Sequence, residues 1–404
     1  MPFQTPRLIR VVRLLYCLLA LCITGCGERT PPADRVDASL DVQMTKETDG
    51  ASADASSLLS DGVPDAGSDA DAIVATDARL SVTDAGLNDP QDMSSAVDVS
   101  DDASPEEKVC VPMAEGCDEI SRWGHGDASR YPIVLVHGFF GWDEVLWVEY
   151  FYDIPATLHE AGFSVFVAQV DPINNSEVRS EQLARFVDEV LRCTCAEKLN
   201  FIGHSQGGLD ARYLTGPLGY TENVASITTI SSPHRGYQMA EDASQGGELG
   251  LRFLETITGL MSWFIRGNPE RPNDLRETLR SMSITARQAY NEAWPDPPEV
   301  PIYSFAGFTN PLTNGGEVCA RGERPQPRRG DLIEPALMVP YAILGGPGTP
   351  NDGIVTVEAC IWGRFMGCIA ADHFDQIGQI SGLSDFNFRR FYREQARFLA
   401  AEGH

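Results

Sequence analysis

One short stretch, Gly203-His204-Ser205-Gln206-Gly207-Gly208, constrains the fold of this chain more than any other. It follows Leu199-Asn200-Phe201-Ile202, an apolar run that reads as a strand, and precedes Leu209 to Leu214, which reads as a helix. A Gly-x-Ser-x-Gly core between strand and helix forces a sharp turn with the serine in a strained position. Gly203 and Gly207 remove side chains that would collide across it. The serine hydroxyl is then held above the sheet edge. The helix starting beside it points backbone N–H groups toward any developing anion.

The surrounding pattern agrees. Tyr131-Pro132-Ile133-Val134-Leu135-Val136 is nearly continuous in apolar residues and predicts a strand buried on both faces; His137-Gly138-Phe139-Phe140-Gly141 breaks it. Helical spacing over 151–161 precedes a second strand at Phe163 to Ala168, an amphipathic helix from Glu181 to Leu191 and a strand from Val224 to Ile230. Strands alternating with helices predict an α/β fold, a mostly parallel central sheet flanked by helices. An insertion at about 237–285 carries Leu251, Leu254, Ile257, Met261, Phe264 and Ile265 near a helical period.

Composition divides the chain into three parts. Residues 1–25 hold Arg7, Arg10 and Arg13 ahead of an apolar run, as an export signal does. The run ends Ile23-Thr24-Gly25-Cys26, which resembles the lipobox of bacterial lipoproteins, where the cysteine becomes the acylated first residue. Gly27 after it resembles outer-membrane sorting, so the expected location is the cell envelope, at the outer membrane or cell surface; secretion is the alternative. From Cys26 to residue 109 the chain has no Phe, Tyr or Trp, and residues 27–109 carry 20 acids against five Lys and Arg. Such a segment buries too little to offset its ordering entropy and reads as an acidic disordered tether. Residues 110–404 contain all six Trp and form the expected catalytic domain. The net charge of −27 excludes broad nucleic-acid binding, which needs concentrated Lys and Arg. Seven cysteines lie in the third part, so an exported chain would leave one thiol free; a Cys110–Cys117 staple and a bridge from Cys319 to Cys360 or Cys368 are the expected pairings.

The pieces Tyr131 to Gly138, Ser176-Glu177-Val178-Arg179-Ser180-Glu181-Gln182, Gly203 to Gly208, Pro233-His234-Arg235-Gly236, Asn351-Asp352-Gly353-Ile354-Val355 and His373-Phe374-Asp375-Gln376-Ile377 occur in this order. Together they resemble the secreted true lipases of Pseudomonas and Burkholderia, within the α/β-hydrolase superfamily. The resemblance implies Ser205 as nucleophile. Of the downstream histidines, His234 precedes any acid in the Ser-acid-His order and His404 ends the chain, where it should be solvated. The resemblance places the base on His373 and the orienting acid on Asp352, with Asp372 as the rival beside the histidine. The elbow's chemistry needs two backbone N–H donors for the oxyanion, expected at Gln206 and at Phe139, and the Phe139 and Phe140 side chains are expected along the acyl path, with ordinary core as the alternative. The resemblance also implies a structural Ca2+ on Asp375, Gln379, the Leu383 carbonyl and Glu334, with Asp331 as rival because the family has Asp where Glu334 stands. The family's first disulfide partner lies before the strand like Ile302 to Gly307, whereas Cys319 comes after it. The 237–285 segment becomes a lid, and a dedicated folding chaperone joins the expected partners.

The expected activity is hydrolysis of carboxylic esters, first of all triacylglycerols, with acylglycerol or another lipid ester as substrate and no organic cofactor. A short-chain esterase or phospholipase is the alternative, and a catalytically silent surface binding protein the reading from another class.

Overall fold

The computed structural model describes residues 117, 122–139, 144–145, 148–265, 275–312, 314–379 and 384–404. The leader, the tether, Cys26, Cys110, Phe140 and Leu383 lie outside the described residues, as does part of the 237–285 segment. Eight strands are described: β1 (Ile133–Val136), β2 (Glu144–Val145), β3 (Val148–Glu149), β4 (Val165–Ala168), β5 (Leu199–His204), β6 (Val224–Ile230), β7 (Ile302–Phe308) and β8 (Arg364–Ala370). β2 and β3 pair as a small hairpin; the other six form one sheet in the order β4-β1-β5-β6-β7-β8. Every pairing in it is parallel.

Parallel strands need covered faces, and the alternation of side chains shows how they get them. Ile133 and Leu135 of β1 pack with Phe151, Ile154 and Leu158 beside Phe391, Tyr392 and Leu399. Apart from Phe151, just before it, these belong to helices α1 (Ile154–Glu160) and Phe388–Ala401. Val134 and Val136 point the other way, onto Leu183, Val187 and Val190 of α2 (Ser176–Thr194) and onto Ala211 and Leu214 of α3 (Gln206–Thr215). The expected helix at 181–191 thus starts earlier, because the Asn175 side chain caps it by accepting from the Val178 N–H at 3.0 Å.

The insertion is helical, with α4 (Gln238–Ser244), α5 (Glu248–Ile265) and α6 (Leu275–Ser281). In α5 Phe253 is buried while Leu249 and Leu251 are exposed.

The cysteines correct one expectation. Cys117 bonds to Cys193 at the end of α2, not to Cys110. The bridge therefore ties the start of the domain to a distant helix, and a longer closed loop restricts the unfolded chain more than a local staple would. Cys195 is disulfide-bonded as well. Cys319 takes Cys368, and among the described residues Cys360 is left as a buried free thiol. His404 is also less solvated than expected: its Nε2 lies 3.3 Å from Tyr303 Oη.

Candidate active site

Ligands bind parallel α/β sheets at the carboxyl ends of the strands, and the candidate residues gather there. Ser205 follows β5 with φ 55° and ψ −126°, a left-handed φ that side chains rarely adopt, and is almost fully buried. Its neighbours show why glycines flank it. A Cβ on Gly203 would lie 2.5 Å from Gly208 N, and one on Gly207 2.2 Å from Val136 O. One on Gly138 would come within 2.6 Å of Ser205 Cβ, so the His137-Gly138-Phe139 loop lies directly against the serine. Gln206 opens α3, where the first N–H groups have no intrahelical partner.

That loop is pinned from behind. The buried Arg179 guanidinium donates to His137 O (2.6 Å) and to Asp210 Oδ2 (2.7 Å). The Gly138 N–H donates to Tyr150 Oη at 3.1 Å. Phe139 packs at the margin of an apolar cluster with Tyr237, Met239 and Phe253, which joins the insertion to the serine's surroundings.

Asp352 and His373, from the loops after β7 and β8, meet at 2.7 Å through Oδ2 and Nδ1. The His373 N–H also donates to Asp352 O at 3.0 Å, which fixes one loop on the other. Asp352 Oδ1 accepts from the N–H groups of Ile354 (3.0 Å) and Val355 (2.8 Å), and Oδ2 accepts from Gln376 Nε2 (2.9 Å). Burial pushes this carboxyl up, but the His373 ring and these donors outweigh it and hold it below the ordinary range. The rival Asp372 faces elsewhere: its oxygens accept from the N–H groups of Phe374, Asp375 and Glu334. His204, directly before Ser205, has its ring centroid 4.5 Å from that of His373, the two planes tilted by 49°. His234 is buried apart from the pair, with Nε2 3.0 Å from Thr229 Oγ1 and its ring stacked on Trp362.

The acidic group beside His373 differs in kind. Asp375 is buried, and among the described residues neither carboxyl oxygen has a hydrogen-bond partner of good geometry; the Ser384 hydroxyl, which Asp331 holds, is its one nearby donor there. Burial, then the charges of Asp372, Asp331 and Glu334, push its carboxyl up to about 9. Asp331 and Glu334 are both buried, and Asp331 already accepts from the Leu332 N–H and the Ser384 hydroxyl. Gln379 donates through Nε2 to Tyr150 O, which leaves its side-chain oxygen for a ligand role. Among the described residues no three His, Cys, Asp or Glu side chains form a ready-made metal centre. The chemistry of these residues suits a hard cation nonetheless: they offer oxygen ligands, and a buried carboxyl pushed up by neighbouring acids lacks the compensation that a cation would supply.

Sequence reasoning passed over Tyr150, His204 and Gln376 as site residues. His204 and Gln376 lie inside quoted motifs; nothing local marks Tyr150.

A parallel sheet, a strained serine between strand and helix, and an acid–histidine pair on the following loops define the α/β-hydrolase class. Residues 131–259 match the alpha/beta hydrolase fold family. The chain is 34% identical over 296 residues to a triacylglycerol lipase of Pseudarthrobacter phenanthrenivorans, covering 64% of this chain and 92% of that one. It is 34% identical to a triacylglycerol lipase of Burkholderia plantarii (64% and 82% covered) and 28% identical to one of Vibrio cholerae (68% and 89% covered). The chain belongs to this family of bacterial triacylglycerol lipases, and it is a hydrolase of carboxylic esters.

Proposed function

We propose that the protein hydrolyses acylglycerols and related lipid esters, with Ser205, His373 and Asp352 as its triad. The observation that carries this reading is the left-handed Ser205 at the end of β5, whose neighbour His204 has its ring 4.5 Å from that of a histidine whose Nδ1 is held by a buried, hydrogen-bonded carboxylate. His373 Nε2 takes the Ser205 proton as Oγ attacks the acyl carbon, and returns it to the leaving alcohol. Asp352 keeps the Nδ1–H tautomer and stabilises the imidazolium. The Phe139 and Gln206 N–H groups hold the oxyanion. Water, activated by His373, then releases the acid from the acyl-enzyme.

Asp375, Gln379, the Leu383 carbonyl and either Asp331 or Glu334 would hold a Ca2+. When bound, it neutralises this acidic group and braces the His373 loop. The apolar face of the 237–285 segment serves as a lid whose opening admits an apolar ester to a dry serine. Cys26 anchors the chain in an envelope membrane through its acyl chains. No helix among the described residues is long and apolar enough to cross a bilayer.

The substrate is tested with the calcium-loaded protein on short- and long-chain p-nitrophenyl esters and an emulsified triglyceride. Turnover of all three is expected. Turnover of the short soluble ester alone assigns an esterase, and no turnover removes the hydrolase reading in favour of a binding protein. For the anchor, intact-mass analysis of the native amino terminus should find an acylated Cys26; a free terminus at another residue would contradict it.

A further inference from the structure

We propose that Gln376 is a positioning residue for ester hydrolysis, holding the Asp352 carboxylate at the end of a hydrogen-bonded wire that begins in the oxyanion loop. The proposal rests on the triad reading above. The wire's direction follows from donor and acceptor chemistry. A carboxylate only accepts, so Gln376 Nε2 is the donor to Asp352 Oδ2, at 2.9 Å. The amide orientation is thereby fixed, and Oε1 faces His204 Nε2 at 3.2 Å. His204 Nε2 must then carry its proton. Complete burial, with His373 beside it, keeps this imidazole neutral, its pKa well below the ordinary histidine value. Nδ1 therefore accepts, and Tyr150 Oη donates to it at 2.7 Å. The Tyr150 oxygen in turn accepts from the Gly138 N–H at 3.1 Å. Each proton in the wire has one assigned place.

The fold makes room for this amide. A Cβ on Gly307, in β7, would lie 2.0 Å from Gln376 Nε2. His204 and Gln376 are both fully buried, so water does not replace a lost partner cheaply. Gln376 and His373 share Asp352 Oδ2. Without the amide donor, the histidine alone restrains that oxygen, and the carboxylate can swing away from Nδ1. A neutral donor also leaves His373 facing a single anionic charge from this direction. At the far end, Tyr150 holds the N–H immediately before Phe139. One chain of bonds thus connects the acid's orientation with the loop assigned to the oxyanion.

The test uses two substitutions in the full chain. Gln376→Met keeps the volume and removes both bonds of the wire, together with the longer one from Nε2 to Ala371 O (3.4 Å). Gln376→Glu keeps the length and the acceptor for His204, but sets a second carboxylate against Asp352. Rates on a soluble p-nitrophenyl butyrate are divided by the amount of serine titrated with a fluorophosphonate probe, so loss of folded protein does not count as lost catalysis. Both variants should lose about ten- to hundredfold in kcat per titrated serine, as expected for a misplaced catalytic group, with KM little changed. If Gln376→Met does not fold, Gln376→Glu carries the test alone. Wild-type kcat per titrated serine in the folded variants overturns the positioning role, because a residue that only packs would lower the titrated fraction instead. Failure of the underlying reading looks different: wild type would go unlabelled, or Ser205→Ala would keep its activity.

Discussion

Asp352 and Asp375 flank the same histidine, are buried to the same degree, and are treated in opposite ways by their surroundings. Four donors converge on Asp352: two backbone N–H groups, the His373 ring and the Gln376 amide. Among the described residues none of comparable geometry reaches Asp375, whose near neighbours include three further acids and, as a weak donor, the Ser384 hydroxyl. Burial raises both carboxyls, but only Asp352 is compensated enough to fall below the ordinary range, while Asp375 is driven far above it. A buried carboxylate kept ionised by protein donors can work beside a base that gains and loses a proton. One left bare among like charges destabilises the chain unless something outside the protein completes it.

Removing the compensated charge should have the largest effect. Asp352→Asn keeps the shape but replaces one acceptor oxygen with an amide donor, setting donor against donor at His373, Gln376 or the Ile354–Val355 turn. The histidine is then free to adopt the tautomer that presents N–H to Ser205, where it cannot act as base. A loss of about 10^4-fold in kcat on a soluble ester is expected, the scale of the corresponding change in a serine-protease triad. Near-UV circular dichroism should stay close to wild type. A loss below about tenfold in a folded variant would remove Asp352 from the orienting role.

Much of this side of the comparison could be read from the chain. The elbow, β1 and β6 announce themselves because continuous β-branched and apolar runs encode strands buried on both faces. β8 does not. Its run Arg364-Phe365-Met366-Gly367-Cys368-Ile369-Ala370 starts with an exposed arginine and is interrupted by Gly367 at φ 133°. Pairing with β7 through a register shift, and the bridge from Cys368 to Cys319, make it a strand. The Cys117–Cys193 bond was hidden for a related reason: local spacing favours near partners, whereas the end of α2 reaches Cys117 only in the folded domain. Gln376 stands in a motif, but its bond to His204 spans 172 positions, and no local pattern reports a contact at that separation. Residue identities therefore revealed the reacting groups, while the polar groups that orient them emerged only from tertiary structure.

The uncompensated carboxylate yields a smaller effect, read in stability before activity. If Asp375, with Asp331 or Glu334, holds a Ca2+, binding to the folded state alone stabilises it by mass action, about 2.7 kcal/mol when free calcium is a hundredfold above Kd. Wild type should therefore melt at a lower temperature in EDTA than in calcium, and lose activity as the loop carrying His373 loosens. Asp375→Asn separates the metal from the acids themselves. The amide is neutral without taking up a proton and supplies a donor to the neighbouring acids, so in EDTA near neutral pH, where a carboxyl pushed up to about 9 must stay protonated in the folded state, this variant should melt above wild type. In calcium it should melt below wild type and respond little to the ion. Asp331→Ala and Glu334→Ala, made separately, then identify the partner: the one whose loss abolishes the calcium response completes the site. A wild-type protein with the same melting temperature and activity in both solutions, and no calcium by elemental analysis, would show that the acids are compensated by protonation alone. In that case the two carboxylates beside His373 would differ in charge state but not in any ligand.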